Sequence, residues 1–193
     1  MHPDFRSTVP GPFLSPCQIV KNLETIEPDG LKYSNVGIEV KGLLIEQIKE
    51  MREYIRGVDW STLTDSLPEG ILHSDIHDEN VLFAPAHQIS GVIDWEDICV
   101  GPLVMDLAMA AANWCFTLEG EWDVGLYQQF LAAYQHHRRL SEREKELLWP
   151  LVILGGLNYF AYHYHHPELE QEVHYLLDFT GPFHKLWKRN GLE

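Results

Sequence analysis

Apolar residues recur at helical spacing through Ile38–Arg56, where Val40, Leu44, Ile48, Met51 and Ile55 fall on one face with charged residues between them. Gly57 closes that stripe where helices commonly stop. Asp59 to Leu67 reads as a short helical turn bounded by Pro68, and the pattern then changes period. Ile71-Leu72, Val81-Leu82-Phe83 and Gly91-Val92-Ile93 are short apolar runs between turn-forming residues, as strands are. Helical spacing returns at Pro102, with Leu103, Leu107, Ala111 and Trp114 on one stripe to about Thr117. A second helix spans Glu121 to His137 on Trp122, Leu126, Phe130 and Ala133. Ser141-Glu142-Arg143-Glu144 is a capping box for a third helix, which runs into the apolar segment Leu147 to Tyr162. Glu168 to Phe179 reads as a last amphipathic helix, and Pro182 to Arg189 as a short basic tail.

Residues 1–36 carry Pro3, Pro10, Pro12, Pro16 and Pro28 among polar positions and predict a lead-in with little regular structure. The expected architecture is α+β and mainly helical, a helical body with a small β-hairpin insert around residues 71 to 95. At 193 residues the chain is one domain, or a large part of a bigger one. A hydrophobic content of 45% marks it as globular. Its longest apolar run is broken by Pro150, Gly155 and Gly156 and is too short to cross a bilayer, so no membrane partner is expected. Cys17, Cys99 and Cys115 have no metal-type spacing and read as reduced thiols, which with the lack of a signal-peptide pattern predicts a cytoplasmic protein.

Charge narrows the function. A net charge of −15 argues against a nucleic-acid partner, which demands stripes of Lys and Arg. From Gly57 to His137 there is no Lys or Arg, while thirteen Asp and Glu fall in that span. If this segment handles a nucleotide, the phosphate charge must be met by a metal ion or by groups from elsewhere.

The candidate chemistry sits in the acidic span. His73, Asp75 and Asn80 lie on a loop between two strand-like runs, and Asp94 ends a third run. An Asp five residues before an Asn can accept a substrate hydroxyl proton while the Asn oxygen faces a metal. A second Asp at a strand end supplies the hard oxygen that Mg²⁺ takes. The bland alternatives are a core histidine for His73, a turn former for Asp94 and a helix-start residue for Asp106. His73-x-Asp75-x-His77-Asp78 also resembles a zinc-hydrolase ligand cluster, although that reading leaves Asn80 and Asp94 unexplained. His163, His165 and His166 read as a polar helix end in preference to a metal cluster.

Taken together, His73-Ser74-Asp75 through Asn80, Ile93-Asp94-Trp95 and Met105-Asp106-Leu107-Ala108 resemble the aminoglycoside phosphotransferase and choline kinase superfamily. Leu67 through His73, Asn80-Val81-Leu82-Phe83, Asp106-Leu107-Ala108 and Asn113-Trp114-Cys115 are most similar to its homoserine kinase and hydroxylysine kinase branch. The resemblance runs from about Leu67 to Pro167. It implies a small-molecule kinase using ATP and Mg²⁺, with Asp75 as catalytic base, Asn80 and Asp94 on Mg²⁺, and His73 and Asp106 bracing the loop. It also implies that residues 37–193 are a kinase-like C-terminal lobe. Kinase-type enzymes place a β-rich lobe with a gripping Lys ahead of this loop. The 72 residues before His73 show neither a Gly-rich loop nor a strand ending in such a Lys, so that lobe is expected to be missing.

Three further expectations follow. Asp78, Glu96 and Asp97, with Glu79, crowd the loop with negative charge, which favours an amine-bearing acceptor such as an amino alcohol, hydroxy amino acid or aminosugar. The chain alone should fold without turning over ATP. An apolar surface that would meet the other lobe should be exposed, open to self-association or to a partner. The competing class is a kinase-like remnant that keeps the fold without turnover.

Overall fold

The structure, a computed structural model, describes residues 16–26, 38–60, 63, 65–117 and 121–165. Over these residues the fold is α+β, with five helices and four short strands. The expected helix over 168–179, the tail at 182–189 and His166 lie outside the described residues.

The lead-in is not irregular throughout. Pro16–Glu24 forms helix α1, with Pro16 at its first position, where the missing N–H costs nothing. Ile19 and Leu23, four residues apart, are fully buried. Proline content suggested irregular chain, but the short apolar stripe outweighs it. Helix α2, Ile38–Arg56, buries Ile48, Met51 and Ile55, and its Arg52 donates to the carbonyls of Glu24, the last residue of α1, and of Ile26 just past it.

The strands are β1 (Glu69–Leu72), β2 (Val81–Ala84), β3 (Gln88–Val92) and β4 (Cys99–Pro102). They form two antiparallel pairs, where one hairpin over 71–95 was expected. β2 and β3 pair from Val81↔Val92 to Ala84↔Gln88, with an irregularity between Leu82 and Phe83. β1 pairs instead with β4, Glu69↔Pro102 to Leu72↔Cys99, a strand too poor in apolar residues to be read from its pattern. The loop from His73 to Asn80 therefore leaves one ladder and enters the other.

Helix α3, Leu103–Trp114, follows β4 directly, with Pro102 at its N-cap position and no side-chain capping bond. It is apolar all round, burying Val104, Met105 and the run Leu107–Ala112, as a helix enclosed on all sides must. Each fully buried large aliphatic contributes about 1.5–3 kcal/mol. α3 packs chiefly on helix α5, Glu142–His165, whose Leu147, Leu148, Leu151, Val152, Ile153, Leu154 and Leu157 complete the core. The approach is close: a Cβ on Gly155 would stand 2.8 Å from Met109 Sδ. Helix α4, Val124–His137, starts later than the apolar stripe suggested because Asp123 caps it, its carboxylate accepting from Leu126 N at 2.8 Å. The capping box at Ser141 forms as expected, with Ser141 and Glu144 bonded reciprocally. No helix among the described residues is long and apolar enough to cross a membrane.

Candidate active site on the loop between β1 and β2

The loop from His73 to Asn80 is fixed at three points. At its start, both carboxylate oxygens of Asp106, on the first turn of α3, accept backbone hydrogens: Oδ2 from His73 N at 2.7 Å and Oδ1 from Ser74 N at 2.9 Å. Burial pushes the Asp106 carboxyl up, and the two N–H bonds pull against that shift. From the same end the His73 side chain, itself buried, reaches across to Ile93 O with Nε2 at 2.8 Å and lies tilted against the Trp95 ring, centroids 4.5 Å apart. At its end, Ile93 N donates to Asn80 O at 3.0 Å, extending the β2–β3 ladder by one step. Asn80 and the Asp94 backbone are thus neighbours, although fourteen positions separate them.

Asp75 and Asn80 are in direct contact. Asn80 Nδ2 lies 2.9 Å from Asp75 O and 3.1 Å from Asp75 Oδ2. Asn80 is buried and Asp75 half-buried. Ser74 and Asp94 adopt left-handed backbone, with φ of 74° and 64°, a conformation costly for residues with a Cβ. Two of the four described non-glycine residues with positive φ thus begin and face the loop, the other two being Ser66 and Ala86.

Asp97 ties the acidic residues together. Its carboxyl is raised by partial burial first, then by the charges of Asp75, Glu96 and Asp94. Those carboxylates therefore share one locality with no Lys or Arg of their own span to neutralise them. Glu96 is exposed, and so is Asp78, which leans toward His77 Nδ1 at 3.7 Å. Among the described residues no three His, Cys, Asp or Glu side chains gather as a metal-binding group. The zinc-type reading fails at His73: Ile93 O claims one ring nitrogen and Asp75 N, at 3.3 Å, the other.

Three residues had no part in the kinase-type sequence reading beyond motif membership, His77 having appeared only in the zinc-type cluster. His77 contacts Asp75 and Asn80, and Trp95 covers His73 while its Nε1 donates to Val92 O at 2.9 Å. Ser74, buried, meets Cys99 Sγ at 3.1 Å through Oγ. An aromatic residue directly after Asp94 and a histidine two after Asp75 were the available signals.

A separate apolar cavity of about 540 Å³ lies behind the loop, between β2–β3, α3 and α4. Phe83, Trp114, Phe130 and Tyr134 wall it, and Ile76 and Asp106 border it on the loop side. Its lining does not suit a charged acceptor, and Asp75, Asn80 and Asp94 do not reach it. Among the described residues, the exposed large apolar side chains other than Leu126 all fall between Ile71 and Val100.

Residues 39–143 match the phosphotransferase enzyme family. The homoserine kinase of Bradyrhizobium diazoefficiens is 36% identical over 104 residues, 54% of this chain and 30% of that protein. That of Rhodopseudomonas palustris is 34% identical over 118 residues, 61% of this chain and 34% of that protein. That of Methylobacterium sp. is 39% identical over 90 residues, 47% of this chain and 27% of that protein. The chain spans about a third or less of the length of these relatives.

Proposed function

The chain belongs to the phosphotransferase enzyme family, and from that premise we propose that it carries the transfer site of an ATP- and Mg²⁺-dependent small-molecule kinase. The observation that supports this most is the joint placement of Asp75, Asn80 and the Asp94 backbone at one end of β2–β3. An intact set of this kind favours catalysis over a remnant without turnover.

Asp75 is the base. As the acceptor hydroxyl oxygen attacks the γ-phosphorus in line, its proton passes to the Asp75 carboxylate, the bond to the β–γ bridging oxygen breaks, and ADP leaves. The Asp94 carboxylate and the Asn80 amide oxygen would hold Mg²⁺, both being hard oxygen donors of the kind that ion takes. Once bound, the ion supplies the positive charge that the span 57–137 lacks. His73 and Asp106 hold the loop and do not touch the reacting atoms.

Residues 37–193 act in this reading as the C-terminal lobe of a kinase-like fold, with the β2–β3 hairpin presenting the loop. The nucleotide-gripping cation comes from a part outside the matched stretch. The apolar residues exposed on the strands, among them Ile71, Leu82, Ile89 and Val100, form a face for that part or for another copy. The acceptor carries an amine, because Asp97 feels the charges of Asp75, Glu96 and Asp94 with no Lys or Arg in the span to offset them. The relatives named homoserine kinase are consistent with a hydroxy amino acid.

The test is phosphate transfer from ATP to amino alcohols, hydroxy amino acids and aminosugars, with this chain alone and joined to a nucleotide-binding lobe. Transfer is expected only in the joined form, falling about 10²–10⁴-fold on Asp75→Asn. Transfer that survives Asp75→Asn, or that is confined to neutral and anionic acceptors, contradicts the reading.

A further inference from the structure

Three apolar faces converge behind the loop without closing on one another. Leu103, Leu107, Ala110 and Trp114 follow one stripe of α3 at spacings of three and four residues. A different face of α3, carrying Met109 and Ala112, is the one turned to Gly155 of α5. Leu126, Phe130 and Tyr134 make a stripe of α4 at spacings of four, and Val81 and Phe83, two apart, share one face of β2. The cavity of about 540 Å³ lies between these faces. Val81, Leu107 and Ala110 are buried at its floor, whereas Phe83, Ile89 and Leu126 are exposed at its mouth. The hairpin is tied to α3 at one edge, where the Phe83 and Trp114 rings lie tilted with centroids 6.2 Å apart.

Apolar faces of helices and sheets normally fill one another, because a gap forfeits the dispersion contacts of its lining. A dry cavity of roughly 150 Å³ lined by such residues takes up benzene, and this one is several times larger. Among the described residues that line it, only Asp106 and Tyr134 are ionisable, and neither is a cation, so an anion finds no partner. A cation is no better served. Both Asp106 oxygens already accept from His73 N and Ser74 N, and Tyr134 Oη accepts from Arg138 Nη1 at 3.2 Å, with the guanidinium 5.7 Å from the ring centroid. We propose that the cavity is a second binding site, for a neutral aromatic molecule, separate from Asp75, Asn80 and Asp94. Phe83, Trp114, Phe130 and Tyr134 offer ring faces and edges to a flat guest. The guest meets the loop from behind at Ile76, directly after Asp75. The site stands whether or not the loop transfers phosphate.

The test uses the 193-residue chain with isotope-labelled methyl groups. Three probes share one ring body and differ in charge: β-naphthylmethanol, β-naphthoate and β-naphthylmethylammonium. In NMR titrations the alcohol is expected to bind saturably with a Kd below about 1 mM, to shift the methyls of Ile76, Leu107 and Ala110, and to bind about tenfold or more tighter than either ion. Intermolecular Overhauser effects from its ring protons to Ile76 and Ala110 locate it in the unaltered chain, whatever the variants do. Ala110→Leu, which fills the floor, and Leu126→Trp, which closes the mouth, should each weaken it about tenfold or more while the methyls of Leu151 and Ile153 keep their folded positions. Where one variant fails to fold, the other decides. An ion that binds as tightly as the alcohol overturns the proposal. So do shifts centred on the exposed strand residues Ile71 and Val100, an alcohol that never saturates the chain, or a folded variant whose affinity is unchanged.

Discussion

Asp106 Oδ2 accepts the backbone hydrogen of His73 at 2.7 Å, which makes the first turn of α3 the clamp on the start of the loop between β1 and β2. With Ser74 N on the other oxygen, the carboxylate satisfies two amides that the strand pairing leaves over. Asp106→Ala strands both, and unfolding by denaturant should show a loss of about 2–4 kcal/mol.

The same residue gives a pH dependence. Burial raises the Asp106 carboxyl, so the folded chain holds that proton more tightly than the unfolded chain does. Its contribution is therefore full below the ordinary carboxylate value and is lost as pH climbs through the raised one. Asp106→Asn should flatten the stability profile in that window. An unchanged slope would show that other groups carry it.

His73 joins loop to strand. Its Nε2–H to Ile93 O and its contact with Trp95 hold the chain just before and after Asp94. His73→Ala should cost about 2–4 kcal/mol and speed hydrogen exchange at Ile93 and Trp95 more than in α5. Uniform acceleration everywhere would mean that His73 serves the whole fold and not this junction.

Much of this was legible in the chain. Helices α2 to α5 follow from apolar spacing and caps, and the loop from the order of His73, Asp75, Asn80 and Asp94, because both signals are local. Strand β4 was not legible: Cys99-Val100-Gly101-Pro102 has little apolar pattern and gains its conformation by pairing with β1. Helix α1 was hidden by proline content, its two buried residues being too few to outweigh it before the packing on α5 is known.

The start of α5 offers a test remote from the site. Glu144, almost wholly buried, is raised by burial, but its bonds to Arg138 and Ser141 more than reverse that, and its carboxyl lies below the usual range. A depressed carboxyl stabilises above the unfolded-chain value and loses that contribution as pH falls through the folded one. Glu144→Gln should therefore cost about 1–3 kcal/mol at neutral pH and much less in strong acid, by denaturant unfolding at each pH. An equal cost at both would assign the effect to packing.

Gly155 sits where α5 meets α3, and a Cβ there would overlap Met109 Sδ. Gly155→Ala should lower stability by about 1–3 kcal/mol despite the better helix propensity of alanine. A rise in melting temperature would show that Met109 gives way without cost.

The central claim is that Asn80 and Asp94 hold one divalent ion in front of Asp75. Mn²⁺ titrated into the isotope-labelled chain and followed by NMR tests it without any need for turnover. The account predicts that the signals of Asp75, Asn80, Asp94 and Asp97 broaden first, and that the broadening is lost together in Asn80→Ala and in Asp94→Ala. Broadening centred on the exposed carboxylates Asp78 and Glu79, or persisting in both variants, would contradict it.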